Sequence, residues 1–130
     1  MEITPEISVD RQVIQSYGEG GFRISGVVIR GSVIVLPDHS LAWGIVRPED
    51  VTIESLTPVI DAEPKVELLL LGCGRRQMML ADALLEALKR VRLTAEPMDT
   101  GAACRTYNVL LAEDRRVAAA LIAPISSTSQ

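Results

Sequence analysis

The feature that most constrains the fold is a leucine-rich run that ends in a pair of glycines. Residues 65–71 are almost entirely apolar after Glu67, and Gly72-Cys73-Gly74 follows them directly. A continuous apolar run bounded by glycine predicts a central strand that is covered on both of its faces. The rest of the chain must therefore supply a layer for each face of the sheet.

The segments after this run predict a parallel strand pair. The next strand-like segment, residues 93–98, begins about 20 residues after the run, which leaves room for one crossover helix. We expect a right-handed connection between the two strands. Residues 77–91 fill the gap, because apolar side chains recur there at helical spacing: Leu80, Leu84, Leu88 and Val91. Residues 100–112 predict a second helix, and residues 117–123 predict a final strand.

The first half of the chain predicts short antiparallel strands. Glycine-containing turns separate them, which favours hairpins or a meander, and the candidates are residues 13–17, 22–25, 27–30, 33–36 and 41–45. A weak helical pattern over residues 52–62 begins properly near Thr57, since Pro58 fits only a first turn. We predict one α/β domain with a mixed sheet over residues 12–125, after an irregular segment (1–11) and before a polar tail (126–130).

Charge and composition exclude several classes of protein. The net charge of −4, from 13 basic and 17 acidic residues, disfavours a general nucleic-acid binder. One histidine and two distant cysteines form neither a disulfide framework nor a recognised metal-ligand spacing, so we expect no metal and no cofactor. The N-terminus shows no signal peptide, and the apolar runs are too short to span a membrane. We therefore expect a soluble, cytoplasmic protein.

Three segments together resemble a known family. They are residues 17–26 (YGEGGFRISG) with 31–33 (GSV), residues 69–74 (LLLGCG), and residues 98–110 (MDTGAACRTYNVL) closing with 115–121 (RRVAAAL). On these segments the chain resembles the domain-of-unknown-function family that includes mitochondrial complex I (NADH dehydrogenase) assembly factor 3. Cys73 stands where that family usually has a small hydroxyl residue.

The resemblance implies both a fold and a role. The implied fold is α/β with three layers: a mixed central sheet, helices on its faces and an added β-hairpin layer. The implied role is in assembling a respiratory membrane complex, and hence in binding a protein partner. The family has no agreed biochemical activity, so the resemblance implies no reaction.

One motif, Asp99-Thr100-Gly101-Ala102, matches the aspartic-protease signature. A protease with one such motif per chain needs a dimer, in which two carboxylates share a proton. Here the residues that follow are patterned as a helix, whereas the protease needs a strand and a loop at that place. We therefore predict that Asp99 or Thr100 caps a helix through its side-chain oxygen.

The loops after the two parallel strands define a candidate crevice. Both loops lie at the same sheet edge and precede helix N-termini, whose dipoles favour anions. The candidate ligand-binding residues are Gly72, Cys73, Gly74, Asp99, Thr100, Gly101, Cys104 and Arg105. Arg105 would supply a guanidinium for a carboxylate or phosphate. The alternative is an internal salt bridge between Asp99 and Arg105 that locks the loop.

The two cysteines suggest a weaker possibility, thiol chemistry. Cys104 lies in the first turns of the predicted helix, where the dipole lowers a thiol pKa. A redox pair of Cys73 with Cys104 requires Cα atoms within about 7 Å. The only histidine, His39, is far away in sequence, and a nucleophile normally needs an oriented base. A buried, inert cysteine is the competing interpretation.

Two functional hypotheses follow from these observations. The first is a non-enzymatic interaction domain that helps to assemble a membrane-associated complex, which predicts an exposed apolar surface. The second is a small anionic-ligand binder or minor enzyme at the crevice of Gly72-Cys73-Gly74 and residues 99–105. It predicts a pocket into which Cys104 and Arg105 point.

Overall fold

The computed structural model describes residues 11–75 and 79–124. Within them the chain forms eight strands: β1 (Ile14–Gly18), β2 (Gly21–Ile24), β3 (Val27–Arg30), β4 (Val33–Val35), β5 (Ser40–Ala42), β6 (Leu68–Gly72), β7 (Thr94–Met98) and β8 (Val117–Leu121). It also forms three α-helices: α1 (Thr57–Ile60), α2 (Asp82–Arg90) and α3 (Thr100–Ala112). Two 3-10 turns precede α1, at Pro48–Asp50 and Glu54–Leu56. The predicted polar tail (126–130) and all but Arg11 of the predicted N-terminal segment (1–11) lie outside the described residues.

The strands form two sheets. The first is an antiparallel meander in the order β1-β2-β3. The second has five strands in the order β5-β4-β8-β6-β7. Strand β6 runs parallel to both β7 and β8, whereas β4 runs antiparallel to both β5 and β8. This arrangement confirms the predicted mixed central sheet and the parallel pairing of residues 68–72 with residues 94–98.

Two apolar cores cover the two faces of the central sheet. In β6 the side chains of Leu69 and Leu71 enter one core, while Leu70 enters the other. The first core lies beneath α1 and α2, and the second lies beneath α3 and the meander. The leucine-rich run is therefore covered on both faces, as its composition predicts. The α/β fold with helices and an added β-hairpin layer is confirmed.

Helix α3 spans the predicted residues, and its first turn is capped as predicted. The side chain of Asp99 accepts a hydrogen bond from the backbone N–H of Ala102 at 2.8 Å. Tyr107, farther along the helix, is fully buried and donates its hydroxyl to the carbonyl of Leu36 at 3.4 Å. Burial raises the pKa of Tyr107 well above its ordinary value. The Asp99-Thr100-Gly101 motif therefore begins a helix.

Helix α2 is shorter than predicted. It begins at Asp82 rather than at residue 77, because Ala81 has an extended backbone with φ −61° and ψ 141°. Residue 77 itself lies outside the described residues. Leu80 precedes the helix, yet it is buried in the first core together with Leu84. The spacing of the two leucines therefore arises because both are buried, although only Leu84 belongs to the helix. The acidic first turn and the basic last turn of α2 complement the helix dipole.

Strand β5 also ends earlier than predicted, at Ala42 rather than at residue 45. The indole N–H of Trp43 donates to the carbonyl of Ser55 at 2.9 Å, so the ring turns away from the strand direction into the first core.

Within the described residues, no helix has the length and apolar character that are needed to cross a membrane.

The junction of β6, β8 and α3 depends on a glycine without room for a side chain. A Cβ at Gly72 would lie 2.9 Å from the Leu121 side chain and 3.1 Å from the Thr100 Cα. Gly72→Ala is expected to lower the free energy of unfolding by about 1–3 kcal/mol, because the helix must move away from the strands.

Gly44→Ala is the matched control for this substitution. No atom lies within 4 Å of the Cβ position at Gly44, so we expect a change within about 1 kcal/mol. Denaturant unfolding of both variants measures the difference. Equal stability of the two variants would contradict the close packing of α3 on the strand ends.

Candidate functional site

The loops that follow β6 and β7 meet at one edge of the central sheet, as predicted. Because the register pairs Gly72 with Met98, both strands end at the same level. The loops are then joined directly: the Thr100 N–H donates to the Gly74 carbonyl at 2.8 Å, and the Cys73 N–H donates to the Met98 carbonyl at 2.8 Å. The two motifs are thus brought together by backbone hydrogen bonds.

Thr100 is the centre of this junction. Its hydroxyl accepts a hydrogen bond from the Gly74 N–H at 2.9 Å and donates one to the Ile122 carbonyl at 2.7 Å. The side chain is fully buried, as are the neighbouring Gly72 and Cys73. Three of the eight candidate residues are therefore structural elements beneath the surface.

The other five candidates line two separate depressions. One, of about 280 Å³, is lined by Gly74, Asp99 and Gly101 together with Arg75 and the turn between β1 and β2. The second, of about 380 Å³, is lined by Cys104 and Arg105 together with β1 and Asn108. The eight predicted residues therefore do not line a single crevice.

Tyr17, which is not among the eight predicted residues, separates the two depressions. Its side chain borders both of them and is 44% exposed. A Cβ at Gly101 would overlap the Tyr17 hydroxyl and would lie 3.3 Å from a guanidinium nitrogen of Arg105. The absence of a side chain at Gly101 thus lets the phenol rest on the first turn of α3, next to Arg105. The only signal in the sequence was that Tyr17 and Gly101 both lie in segments that carry the family resemblance.

The first turn of α3 is not an open anion site. The N–H of Thr100 is bonded to the Gly74 carbonyl, and the N–H of Ala102 is bonded to the Asp99 side chain. The Gly74 N–H, which could have faced a phosphate, is bonded to Thr100. The N–H groups of Gly74, Thr100 and Ala102, which could have bound an anion, already have acceptors within the protein.

The expected salt bridge between Asp99 and Arg105 is not formed. Asp99 directs an oxygen to the backbone of Ala102 instead, as a helix cap. Among the ion pairs of the described residues, none includes Arg105, whose side chain is exposed at the second depression. A cap satisfies the local backbone without ordering a long side chain, which explains why this carboxylate does not pair with Arg105.

The structure favours the interpretation of Cys104 as a buried, inert cysteine over thiol chemistry. Its side chain is 3% exposed, and burial raises the pKa of its thiol from 9.0 to about 12. Arg105 lowers this pKa and Asp99 raises it, but both effects are smaller than that of burial. No disulfide joins Cys104 to Cys73. Cys104 is therefore a protonated core residue at neutral pH.

His39 does not lie beside Cys104, and the described residues form no metal site. His39 follows β4, and β4 runs antiparallel to β8, so His39 lies at the opposite edge of the sheet from Cys104. Its ring contacts the Asp38 carboxylate at 2.7 Å. Among residues 11–75 and 79–124, no three His, Cys, Asp or Glu side chains could jointly hold a metal ion.

Comparison with curated proteins identifies close relatives. The zebrafish (Danio rerio) NADH dehydrogenase [ubiquinone] 1 alpha subcomplex assembly factor 3 is 42% identical over 86% of this chain and 64% of its own length. The human protein of that name is 34% identical, over 89% of this chain and 63% of its own length. This chain thus spans slightly less than two thirds of these relatives. An uncharacterised protein of Rhodobacter capsulatus is 38% identical over 84% of this chain and 82% of its own length.

Solved structures agree with the fold. A Bartonella henselae protein described as an outer membrane protein superposes with a TM-score of 0.81 at 40% identity, covering 88% of this chain and 96% of its own. A Mth938-like domain from Bordetella pertussis gives 0.76 at 26% identity, covering 100% and 97%. A sequence model for proteins of unknown function matches residues 14–122, nearly the whole described fold. The chain therefore belongs to the family of proteins of unknown function called DUF498/DUF598.

Proposed function

We propose that this protein is a non-enzymatic interaction domain that binds a protein partner during assembly of a membrane-associated complex. The observation that carries the proposal is the concentration of exposed apolar side chains on the meander. Of the seven large apolar side chains exposed among the described residues, four lie on or next to its strands: Val13, Tyr17, Val27 and Val28. The curated relatives are named as assembly factors for NADH dehydrogenase, and these names support NADH dehydrogenase as the partner complex.

The outer face of the meander has the composition of an interface. It bears a shallow depression of about 410 Å³, which is lined by Tyr17, Arg23, Val28 and Arg30 among others. Cross-strand pairing places Val28 directly beside Arg23. Aromatic residues and arginine are enriched in protein interfaces, and arginine adds directional hydrogen bonds at an apolar contact. We name this surface the meander face.

Catalysis at the sheet edge receives less support. The N–H groups of Thr100 and Ala102 are occupied, the thiol of Cys104 is buried, and His39 lies at the opposite edge. Arg105 remains as a surface cation next to Tyr17, so it can contribute to partner binding as well as to binding an anion. Two cysteines that form no disulfide are compatible with the cytoplasm, where we place the domain.

The meander face is tested by Val28→Glu. A carboxylate at this position removes the apolar contact but forms a favourable cross-strand pair with Arg23, so the fold is expected to persist. Affinity capture from solubilised native membranes should recover NADH dehydrogenase subunits with the wild type, identified by mass spectrometry. Recovery with Val28→Glu should fall about 5-fold or more.

Val46→Glu is the matched control. Val46 is 60% exposed, close to the 55% of Val28, but it lies outside the meander. Its variant should capture the subunits as the wild type does. Equal capture by Val28→Glu and Val46→Glu would overturn the assignment of the meander face. If the wild type captures no complex, and a phosphate or carboxylate metabolite raises the Tm unless Arg105→Ala is present, the anion-binding alternative is correct.

Cys104 gives a test of thiol chemistry. At pH 7.5 an alkylating reagent should leave Cys104 unmodified in the folded protein and should modify it once the protein is unfolded, as peptide mass spectrometry reports. Modification of the folded protein at the rate of a free thiol would show that Cys104 is accessible and reactive.

The same residue sets a pH dependence of stability. The folded thiol keeps its proton up to about pH 12, whereas the unfolded thiol loses it near pH 9, so the folded state binds more protons between these values. The free energy of unfolding should therefore fall as the pH rises above 9. Denaturant unfolding at pH 7 and pH 10.5 should show a smaller fall in Cys104→Ala than in the wild type. An equal fall in both proteins would mean that the thiol ionises alike in the two states.

A further inference from the structure

A pocket of about 360 Å³ lies at the opposite edge of the central sheet from the loops after β6 and β7. Its position follows from the topology, because it is formed by the residues that follow β4 and those that precede β6 and β8. The floor is apolar and consists of Leu36, Pro37, Ala62, Pro64 and Val66. A volume of this size is within the range of pockets that bind small molecules.

The rim of this pocket is charged, and most of its charges are paired. Arg11 contacts Asp114 at 2.6 Å, and His39 contacts Asp38 at 2.7 Å. Arg116, also on the rim, contacts Glu67 outside the pocket at 3.3 Å. These contacts leave fewer of the rim charges free to bind a ligand.

Two charged side chains on the rim have no partner among the described residues. They are Arg115, a cation, and Glu63, an anion. Besides His39, the rim carries three arginines and three carboxylates, and Arg115 is the arginine that makes no ion pair among the described residues. The planar guanidinium of Arg115 matches the geometry of a carboxylate, which it can bind through two parallel hydrogen bonds.

We propose that this pocket binds a free carboxylic acid that carries an apolar chain. The apolar body lies on the floor formed around Val66, and the carboxylate is bound by Arg115 at the rim. Glu63 opposes the ligand charge and therefore limits the affinity. This site is separate from the meander face and does not depend on the proposed role in assembly.

Octanoate is the probe for this site, with acetate and octylammonium as comparisons. Amide chemical shifts of the protein, followed by NMR during titration, should change in a saturable manner at Leu36, Ala62 and Val66. Acetate lacks the apolar body, so it should bind about 10-fold more weakly or not at all. Octylammonium should bind more weakly than octanoate, because an ammonium group cannot accept the hydrogen bonds that Arg115 donates.

Variants separate the charge from the cavity. Arg115→Ala should weaken octanoate binding about 10-fold, because it removes a charge-assisted hydrogen bond. Glu63→Gln should strengthen it about twofold, because it removes a neighbouring like charge. Arg90→Ala, at an exposed position of α2 away from the pocket, should leave it unchanged. Ala62→Trp should block the pocket.

Several results would overturn this proposal. They are absence of saturable octanoate binding to the wild type, tighter binding of octylammonium than of octanoate, or equal affinities of Arg115→Ala and Arg90→Ala. Shift changes confined to the meander or to α2 would also overturn it, because they would place octanoate elsewhere. If Ala62→Trp fails to fold, the exposed substitutions at Arg115 and Glu63 still decide the outcome.

Discussion

The buried hydroxyl of Thr100 is the interaction on which the rest of this architecture depends. It links three segments, because it accepts from the Gly74 backbone, donates to the Ile122 backbone and belongs to the first turn of α3. A buried backbone group that loses its partner costs about 1–3 kcal/mol, so both contacts constrain the loops strongly. Gly72 allows this approach because it has no side chain. The position of α3 on the sheet follows from these two residues.

Local patterns in the sequence predicted most of the helices and strands and the cap of α3. The spacing over residues 100–112 predicted α3, and the carboxylate of Asp99 caps it. The leucine run predicted a strand covered on two faces because burial on both faces removes the alternation of polar and apolar residues. The predicted start of α2 was too early because Leu80, which precedes the helix, is also buried in the core. Apolar periodicity does not distinguish a buried residue within a helix from a buried residue just before it.

Properties that depend on contacts with distant segments could not be predicted from local sequence patterns. Cys104 is at the beginning of a helix, which lowers a thiol pKa, but its burial in the second core is the larger effect. The predicted crevice is divided by Tyr17, a residue more than eighty positions away from Gly101 in sequence. Local sequence predicts which residues share a sheet edge, but it does not predict which side chain from another layer will cover them.

Tyr17 connects the meander to the rest of the fold. Its position affects how the meander face, one of the two proposed binding surfaces, can contact a partner. Tyr17 lines the meander face and both depressions beside α3, and its ring rests on Gly101. A partner bound at the meander face would therefore contact a residue that is held by the first turn of α3. The carboxylate pocket lies at the other edge of the sheet, where Arg115 is only two residues from β8. Strand β8 is fully buried and runs from this end of the sheet to the end where α3 begins.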